Sequence, residues 1–301
     1  MLKPEELRNF SQIEAWKSWA WILATWLLIG ATFFAATLWP HPFFLFICLV
    51  LMARHQLSLA ILMHDAAHKR LFKNISWNDY VGQFLLASPV FFSLSAYRNF
   101  HLKHHQSPLA CDDPDLSLTG GYPIPRASFA RKILRDASGL SYLKFIKYFI
   151  SRSRTEKGRG LGQGGIKTGP GFRGVIASIL LSNIAIFGIL FLSDNAWLYL
   201  WLWLLPMTTA LQVLLRIRGV AEHAGYLENE DQRLNSRTII SPLETFFFAP
   251  NNVNYHIEHH VYPSIPWYNL PKVHFLMMER GSIPLQNFYR SYGKMLQEIL
   301  R

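Results

Sequence analysis

The sequence predicts an all-α, multi-pass membrane protein with four transmembrane helices in two hairpins and a cytoplasmic helical cap. This prediction rests on four long apolar stretches, on the short turns between them, and on basic residues that lie outside those turns. Hydrophobic residues make up 50% of the 301-residue chain and charged residues 16%, whereas soluble domains carry about a quarter charged residues. The mean hydropathy of +0.13 is low for a chain made only of spans, so a polar domain must accompany them.

Each apolar stretch approaches the length of about 20 residues with which a helix crosses a bilayer. The stretches are residues 19–39, 43–63, 175–192 and 197–215. The turns Pro40-His41-Pro42 and Ser193-Asp194-Asn195 are short enough to predict two helical hairpins. Trp39 and Trp197 lie where aromatic side chains are enriched, at the membrane interface.

The distribution of basic residues predicts the orientation of the spans. Neither hairpin turn contains Lys or Arg, but residues 64–173 contain 17 of them. Cytoplasmic loops are enriched in Lys and Arg close to the ends of spans. The cations that lie closest to the predicted ends are Lys69, Arg70, Arg173, Arg216 and Arg218. Both termini and the long central segment are therefore predicted to be cytoplasmic.

This topology predicts a single membrane domain over residues 1–301. Its parts are a cytoplasmic N-terminal segment (1–18), a first hairpin (19–63), a cytoplasmic or interfacial segment (64–173), a second hairpin (174–215) and a cytoplasmic tail (216–301). Residues 80–97 are apolar, but Pro89 and several serines favour an interfacial or re-entrant segment. Residues 160–165 match a dinucleotide-binding glycine pattern, but no predicted strand precedes them, so a flexible basic loop is the preferred interpretation.

Nine of the twelve histidines form four clusters at or beyond the predicted cytoplasmic ends of the spans. The clusters are His64 and His68; His101, His104 and His105; His223; and His256, His259 and His260. Residues three or four positions apart share a helix face, so a cluster can direct two imidazoles at one metal ion. Adjacent histidines point about 100° apart, so each His-His pair can serve two neighbouring ions. One such cluster alone is often structural, but their recurrence in one chain predicts a dinuclear metal centre.

The histidine-rich ligand set favours iron. Imidazole binds Zn, Cu, Fe and Ni, but structural zinc takes four ligands that are often cysteines. Nine imidazoles without cysteine suit two iron ions with five or six ligands each. Carboxylate-bridged iron proteins use Glu-x-x-His pairs, and this chain contains none. A neutral, histidine-rich site at a membrane surface suits the activation of O2 against a lipid C–H bond.

The three histidine boxes, residues 64–68, 101–105 and 256–260, resemble those of the integral-membrane fatty acid desaturase family. That family lies within a wider superfamily of desaturases, hydroxylases and ketolases. The sequence segments that flank the boxes are also similar to those of bacterial acyl desaturases. These segments are Lys69–Asn74, Asp112–Asp115 and Asn251–Tyr255. The resemblance implies two Fe2+ ions bound by the nine histidines, O2 as co-substrate, and a location in a bacterial inner membrane.

The resemblance also implies the source of the electrons. The third box begins with His256 rather than with Gln, so the chain departs from the front-end subgroup of the family. It also lacks the His-Pro-Gly-Gly motif of a fused cytochrome b5 domain. We therefore expect an external donor of the ferredoxin or cytochrome b5 type.

The reaction implied by the resemblance is the introduction of a C=C bond into a fatty acyl chain that is carried on a membrane lipid, CoA or a carrier protein. Nucleic acid is not expected as a partner, because the basic residues flank apolar spans. A lipid or carotenoid hydroxylase, a ketolase and an oxidative fatty acid decarboxylase are alternatives, since the histidine boxes do not distinguish them. A metal transporter is a more distant alternative, because transporters place ionisable ligands inside their spans and the predicted spans contain no acidic residue.

Acidic residues beside the boxes are candidates to orient the ligand rings. A ligand histidine usually donates its second ring nitrogen to a carboxylate or a carbonyl. Asp65 and Glu222 are the preferred candidates for this role. The other acidic residues beside the boxes are Asp112, Asp113, Asp115 and Glu258.

Two further pairs of polar residues lie near the boxes. Asn252 and Asn254 are candidates to hold a metal-bound water. Arg216 and Arg218 are candidates to bind a headgroup or a carrier phosphate, although snorkelling at the membrane boundary is the preferred interpretation.

Overall fold

The computed structural model describes residues 1–106, 108–144, 171–225 and 229–301, and over these residues the chain is mostly helical, as predicted. The α-helices are α1 (Pro4–Phe10), α2 (Ala15–Leu38), α3 (Pro42–Ala67), α4 (Ile75–Val81), α5 (Leu94–Gln106), α6 (Leu116–Thr119), α7 (Arg126–Ala137), α8 (Phe172–Leu192), α9 (Leu205–Thr208), α10 (Ala210–His223), α11 (Pro242–Phe248), α12 (His256–Val261), α13 (Leu270–Glu279) and α14 (Tyr292–Ile299). The glycine pattern at residues 160–165 lies outside the described residues.

Short strands depart from the all-α prediction. Strand β1 (Thr238–Ile239) pairs in parallel with strand β2 (Phe288–Tyr289). The Ile239 amide also donates to the Asn254 carbonyl at 3.2 Å, and the Arg237 amide donates to the Glu222 carbonyl at 2.9 Å. These few backbone bonds connect the tail of the chain to the end of α10. Strands of two residues show no alternating pattern that a sequence can reveal.

Within the described residues, four helical segments are long and apolar enough to cross a membrane, which agrees with the predicted number of spans. They are Ala15–Leu38, Pro42–Ala67, Phe172–Leu192 and Tyr199–His223. The second and fourth continue past the predicted ends at Met63 and Leu215. Hydropathy falls at those positions, but the helices continue because residues such as Ala66, Ala67 and Val220 are buried. As a result, His64 and His223 lie on the spanning helices themselves.

Local signals explain the bounds of α3. Pro42 occupies the first turn, where its fixed φ suits a helix start and its missing N–H is not needed. The helix ends at Ala67 with His68 as its C-cap, and the next residue, Lys69, adopts a left-handed conformation with φ 60°. The second span therefore ends abruptly, and His68 lies at the helix terminus.

The second span contains a cation, Arg54, although the mean hydropathy of this helix is high. Its Nε donates to the Phe246 carbonyl at 3.2 Å, and its guanidinium lies 4.7 Å from the centroid of the Phe246 ring. Because α11 supplies both contacts, this short helix packs beside the second span. Such contacts reduce the cost of a charge at this depth.

The apolar residues 80–97 form no continuous helix of spanning length. They divide into the end of α4, a π-helix (Gly82–Ala87), a 3-10 turn (Ser88–Val90) and the start of α5. A Cβ at Gly82 would lie 2.6 Å from the Cβ of Ala66, so glycine permits this close packing against α3. Ser88 Oγ lies 2.7 Å from Ser178 Oγ, which joins the segment to α8. The segment therefore packs between the second and third spans and directs α5 toward the end of α3.

A buried arginine fixes α5 against α3. Arg98 donates from Nε to the Ala67 carbonyl and from Nη2 to the Ala66 carbonyl, both at 2.8 Å. It also donates to both carboxylate oxygens of Asp79, at 3.0 and 2.5 Å. Carbonyls at a helix C-terminus lack helical partners and attract cations. Arg98 thus positions the first two histidine boxes relative to each other.

Candidate metal centre

The first two boxes meet where α3 ends and α5 passes over it. His64 and His68 are one helical turn apart, with ring centroids 5.0 Å from each other. On α5, His101 and His105 share one face, and His101 Nε2 lies 2.9 Å from His68 Nε2. His104 points away from this face toward α10, where its Nε2 lies 3.2 Å from His223 Nε2. The adjacent residues His104 and His105 therefore diverge, as their spacing on a helix requires.

The third box lies on the short helix α12, where adjacent histidines diverge in the same way. His259 Nε2 lies 3.0 Å from His105 Nε2, on the side of α3. His256 Nε2 lies 2.8 Å from His223 Nε2 and 3.2 Å from His260 Nε2, on the side of α10. Four separate segments of chain thus contribute imidazoles to one region.

The nine predicted histidines form two groups, within each of which the candidate ligand atoms all lie within 4.8 Å of one another. The five-histidine group consists of His64, His68, His101, His105 and His259. The four-histidine group consists of His104, His223, His256 and His260. The rings of His105 and His260 stack at 4.2 Å and join the two groups. All nine rings are buried except that of His105, which is half-buried.

Hydrogen bonds between the rings cannot account for this arrangement. A ring nitrogen carries either one N–H or one lone pair, so it takes part in one such bond. His101 Nε2 nevertheless faces two other nitrogens, those of His68 and His105, at 2.9 and 3.0 Å. His223 Nε2 faces His104 and His256 in the same way. A cation that accepts all the lone pairs resolves these contacts, so the donor set fits two metal ions.

The titration of the rings supports the same interpretation, because metal ligands must be deprotonated. Burial lowers the pKa of His68 to about 3 and that of His105 to about 2, with nearby cations or imidazoles adding to the effect. Burial and neighbouring rings also lower the pKa of His101, His259 and His260 well below the ordinary value. Their lone pairs are therefore available at neutral pH.

His104 differs from the other rings, because its pKa is raised. Burial acts to lower this pKa, but the hydrogen bond with Asp113 and the charges of Asp115 and Asp113 outweigh it. His104 Nδ1 lies 3.0 Å from both carboxylate oxygens of Asp113. The same carboxylate accepts the amides of Leu109 at 2.7 Å and Asp115 at 2.9 Å, which fixes its position.

The outer nitrogen of His223 has a backbone partner that sequence reasoning missed. Its Nδ1 donates to the Asn235 carbonyl at 3.0 Å. A carbonyl carries no residue-type signal, so only the fold identifies it. Asp113 was one of several acidic candidates, and its contact with His104 could be anticipated only from its position after box two.

Three of the four candidates around the ligands, Asp65, Asn252 and Asn254, form no hydrogen bond with a ligand histidine in the described residues. Asp65 Oδ1 lies 3.8 Å from His64 Nδ1, which is too long for a hydrogen bond, and its Oδ2 is buried without a partner. Asn252 and Asn254 donate to the carbonyls of Trp267 at 3.4 Å and Ile239 at 3.0 Å. These amides therefore connect the segment before α12 to the carbonyls of Trp267 and Ile239 instead of contacting a ligand nitrogen.

The fourth candidate, Glu222, has its two carboxylate oxygens in different surroundings. Oε1 accepts from Arg218 Nε at 2.7 Å. Oε2 lies 3.6 Å from His256 Nε2, the nitrogen that faces the other ligand rings. Glu222 thus approaches the inner side of the four-histidine group, whereas the sequence analysis placed it on the outer side.

The two arginines after the fourth apolar stretch are not headgroup ligands or snorkelling residues. Arg216 is buried and forms an ion pair with Asp136 of α7. Arg218 pairs with Glu222 one helical turn away, with 13% of its side chain exposed. Both predictions were wrong because α10 continues into the protein interior, where these cations have acidic partners.

Comparison with known proteins agrees with this geometry. A family model described as fatty acid desaturase matches residues 40–288, a range that includes all nine histidines. The chain is 29% identical over 256 residues to dihydrorhizobitoxine desaturase from Bradyrhizobium elkanii, which covers 80% of this chain and 68% of that protein. It is also 26% identical over 264 residues to beta-carotene ketolase from Paracoccus sp. (strain PC1), which covers 83% and 88% of the two chains.

Proposed function

Since this chain belongs to the fatty acid desaturase family, we propose that it is an O2-dependent di-iron oxidoreductase of the membrane that introduces a C=C bond into a fatty acyl chain. The observation that carries the proposal is the convergence of nine imidazoles in two adjacent groups. Two Fe2+ ions bound there would reduce O2 and supply the oxidant for an unactivated C–H bond. The five-histidine group would hold one ion and the four-histidine group the other.

The protein's own contribution is to fix the rings and to exclude water. Asp113 and the Asn235 carbonyl accept the outer N–H groups of His104 and His223 and thereby direct their inner nitrogens at the site. Burial of eight of the nine rings keeps bulk water away from the reacting atoms. Positioning of one C–C bond beside the centre then determines where hydrogen is removed.

An apolar groove among the spans, away from the histidines, has the lining that an acyl chain requires. It has a volume of about 300 Å³ and lies between residues 80–97, the third span and the fourth span. Its walls include Phe91, Ile184 and Phe187, and Asn183 and Tyr199 are its polar residues. We propose this groove as the path of the acyl chain, which would arrive on a lipid, CoA or a carrier protein.

The placement of the boxes supports a cytoplasmic site. His64 lies at the C-terminal end of the second span, and His223 lies at the C-terminal end of the fourth. Both spans therefore run toward the site in the same direction, as two hairpins require. Because the hairpin turns lack Lys and Arg, we propose that the site and both termini face the cytoplasm of a bacterial inner membrane. A ferredoxin or a cytochrome b5-type protein would deliver electrons there.

Product analysis tests this function. The chain is expressed in a bacterial host, and its lipids are compared by mass spectrometry with those of a host that expresses the His104→Ala variant. We expect acyl chains that have lost two hydrogens only with the unaltered chain. His41→Ala, a histidine in the first hairpin turn, is the matched control and should retain the product. Lipids with added oxygen, or an unchanged lipid profile with iron bound, would contradict the assignment.

A ketolase on carotenoids is the second candidate, because the similarity to beta-carotene ketolase covers most of both chains. The same host supplied with a carotenoid pathway separates the two functions. A new carbonyl on the carotenoid together with unchanged acyl chains would favour the ketolase.

A further inference from the structure

The two histidine groups differ by one ligand. Five imidazoles surround one position and four surround the other. Iron with nitrogen and oxygen ligands readily takes five or six of them, so the four-histidine group leaves more of its ion's coordination positions unfilled by imidazole. A further group that belongs to this position should have a polar atom on the inner side of the rings.

Glu222 has such an atom. Its Oε2 lies 3.6 Å from His256 Nε2, and that nitrogen is within 2.8 Å of His223 Nε2 and 3.2 Å of His260 Nε2. Only 8% of the Glu222 side chain is exposed. The other oxygen accepts from Arg218 Nε at 2.7 Å, which fixes the carboxylate in this direction. A buried carboxylate oxygen therefore points at the inner nitrogens of the four-histidine group.

The distances indicate that Glu222 contacts the metal ion through a water molecule and does not bind it directly. Glu222 does not join the set of atoms that lie within 4.8 Å of one another, so its oxygen is too distant from some of the four nitrogens to share one ion with them. Metal–oxygen bonds are about 2.0–2.2 Å long, and a water molecule adds a hydrogen bond of about 2.7 Å. A water ligand on the ion therefore spans the remaining gap to the carboxylate.

Glu258 provides an internal comparison. Like Glu222, it immediately precedes a ligand histidine and is buried. Its oxygens, however, accept from His274 Nδ1 at 2.5 Å and from Thr238 Oγ1 at 2.7 Å. Neither of these partners belongs to the two histidine groups. Proximity in sequence to a ligand therefore does not by itself direct a carboxylate at the metal position.

We propose that Glu222 is a positioning residue that holds a water ligand on the metal ion of the four-histidine group. This inference rests on the proposed function, since it requires a metal ion at that position. Arg218 orients the carboxylate, and Oε2 accepts a hydrogen bond from the water. The two metal positions are then chemically unequal. At the position beside Glu222, an external ligand can replace the water while all the histidines stay bound.

The test uses full-length protein that is loaded with ⁵⁷Fe, reduced anaerobically and examined by Mössbauer spectroscopy. The unaltered chain should bind two irons that give two quadrupole doublets of equal area. In Glu222→Gln, the side chain loses its charge and keeps one accepting oxygen, so it cannot accept from both Arg218 and the water in the same way, and one doublet should shift while the other stays unchanged. The matched control Glu258→Gln should leave both doublets unchanged.

A second variant protects the test against misfolding. Glu222→Asp keeps the charge but withdraws the carboxylate by one methylene, so the same doublet should shift. If Glu222→Gln yields no folded protein, Glu222→Asp decides the question alone. Spectra of both variants identical to that of the unaltered chain would overturn the role of Glu222. An unaltered chain without iron would instead contradict the proposed function, so the two failures are distinguishable.

Discussion

The five-histidine and four-histidine groups contrast in what surrounds them. The five-histidine group is positioned mainly by Arg98, which joins the end of α3 to α5. Within the described residues, neither ring nitrogen of His64 has a hydrogen-bond partner. The four-histidine group has polar partners around it: Asp113, the Asn235 carbonyl and Glu222. The five-histidine group is thus surrounded mainly by imidazoles, whereas the four-histidine group has fewer imidazoles and more polar groups beside it. We therefore expect the five-histidine group to hold a metal ion with imidazoles alone and the four-histidine group to depend more on the polar groups beside it.

Removing one imidazole from each group gives the largest expected effect. His260→Ala reduces four ligands to three, whereas His101→Ala reduces five to four. Loss of partners outside the ligand set alone lowers metal affinity about 10–100-fold, so we expect His260→Ala to exceed that loss and to abolish turnover. His101→Ala should retain more iron. Iron per chain, measured by atomic emission, makes this comparison, and equal losses would mean that the two groups are equivalent.

Breaking the anchor of the five-histidine group should mainly affect stability. Arg98→Ala removes the arginine that pairs with the buried Asp79 carboxylate, and removal of one partner of a buried ion pair costs about 3–5 kcal/mol. We expect a clear fall in the unfolding midpoint in detergent. The control is Arg233→Ala, which breaks the more exposed pair with Asp231 and should cost less than about 1 kcal/mol. Similar midpoints for both variants would exclude the anchoring role of Arg98.

Asp113→Asn tests the surroundings of the four-histidine group. The amide retains the shape of the carboxylate but loses the charge that orients and polarises His104. We expect a decrease of about 10–100-fold in iron affinity, measured by competition with a chelator. The neighbouring Asp112→Asn is the control, because Asp112 is exposed and its ion pair in the described residues is with Lys103, at 3.4 Å. An affinity that is unchanged in Asp113→Asn would show that His104 needs no outer partner.

The smallest effect is a difference between the groups in their response to pH. The raised pKa of His104 means that protons compete with metal at the four-histidine group as the pH falls through that value. The lowered pKa values of His68 (about 3) and His105 (about 2) keep their rings unprotonated to far lower pH. On acidification from neutral pH, we expect the four-histidine group to lose iron first. Mössbauer areas recorded along the titration measure this, and simultaneous loss of both doublets would contradict it.

Much of the fold follows from features that act locally along the chain. Apolar runs of spanning length predict the four membrane helices, and the spacing of His101, His104 and His105 predicts that their rings diverge. The continuation of α3 and α10 into the site was not predictable from hydropathy, because polar residues there are buried only by tertiary contacts. Arg54 and Arg216 illustrate the same point, since a charge has a partner only once distant segments are folded together.

The composition of each group also lies beyond the sequence. Two His-His pairs predict two neighbouring ions, but they do not specify that His104 joins His223 while His105 joins His259. That assignment depends on how α5 lies between α3 and α10. The roles of the Asn235 carbonyl and of Glu222 depend on the same packing, so they are visible only in the folded chain.

An anomalous diffraction map of the crystallised protein, recorded on both sides of the iron absorption edge, would locate the two metal ions. We expect two peaks that appear only above the edge, one among His64, His68, His101, His105 and His259, and one among His104, His223, His256 and His260. A single peak, or peaks that do not change across the iron edge, would contradict this expectation.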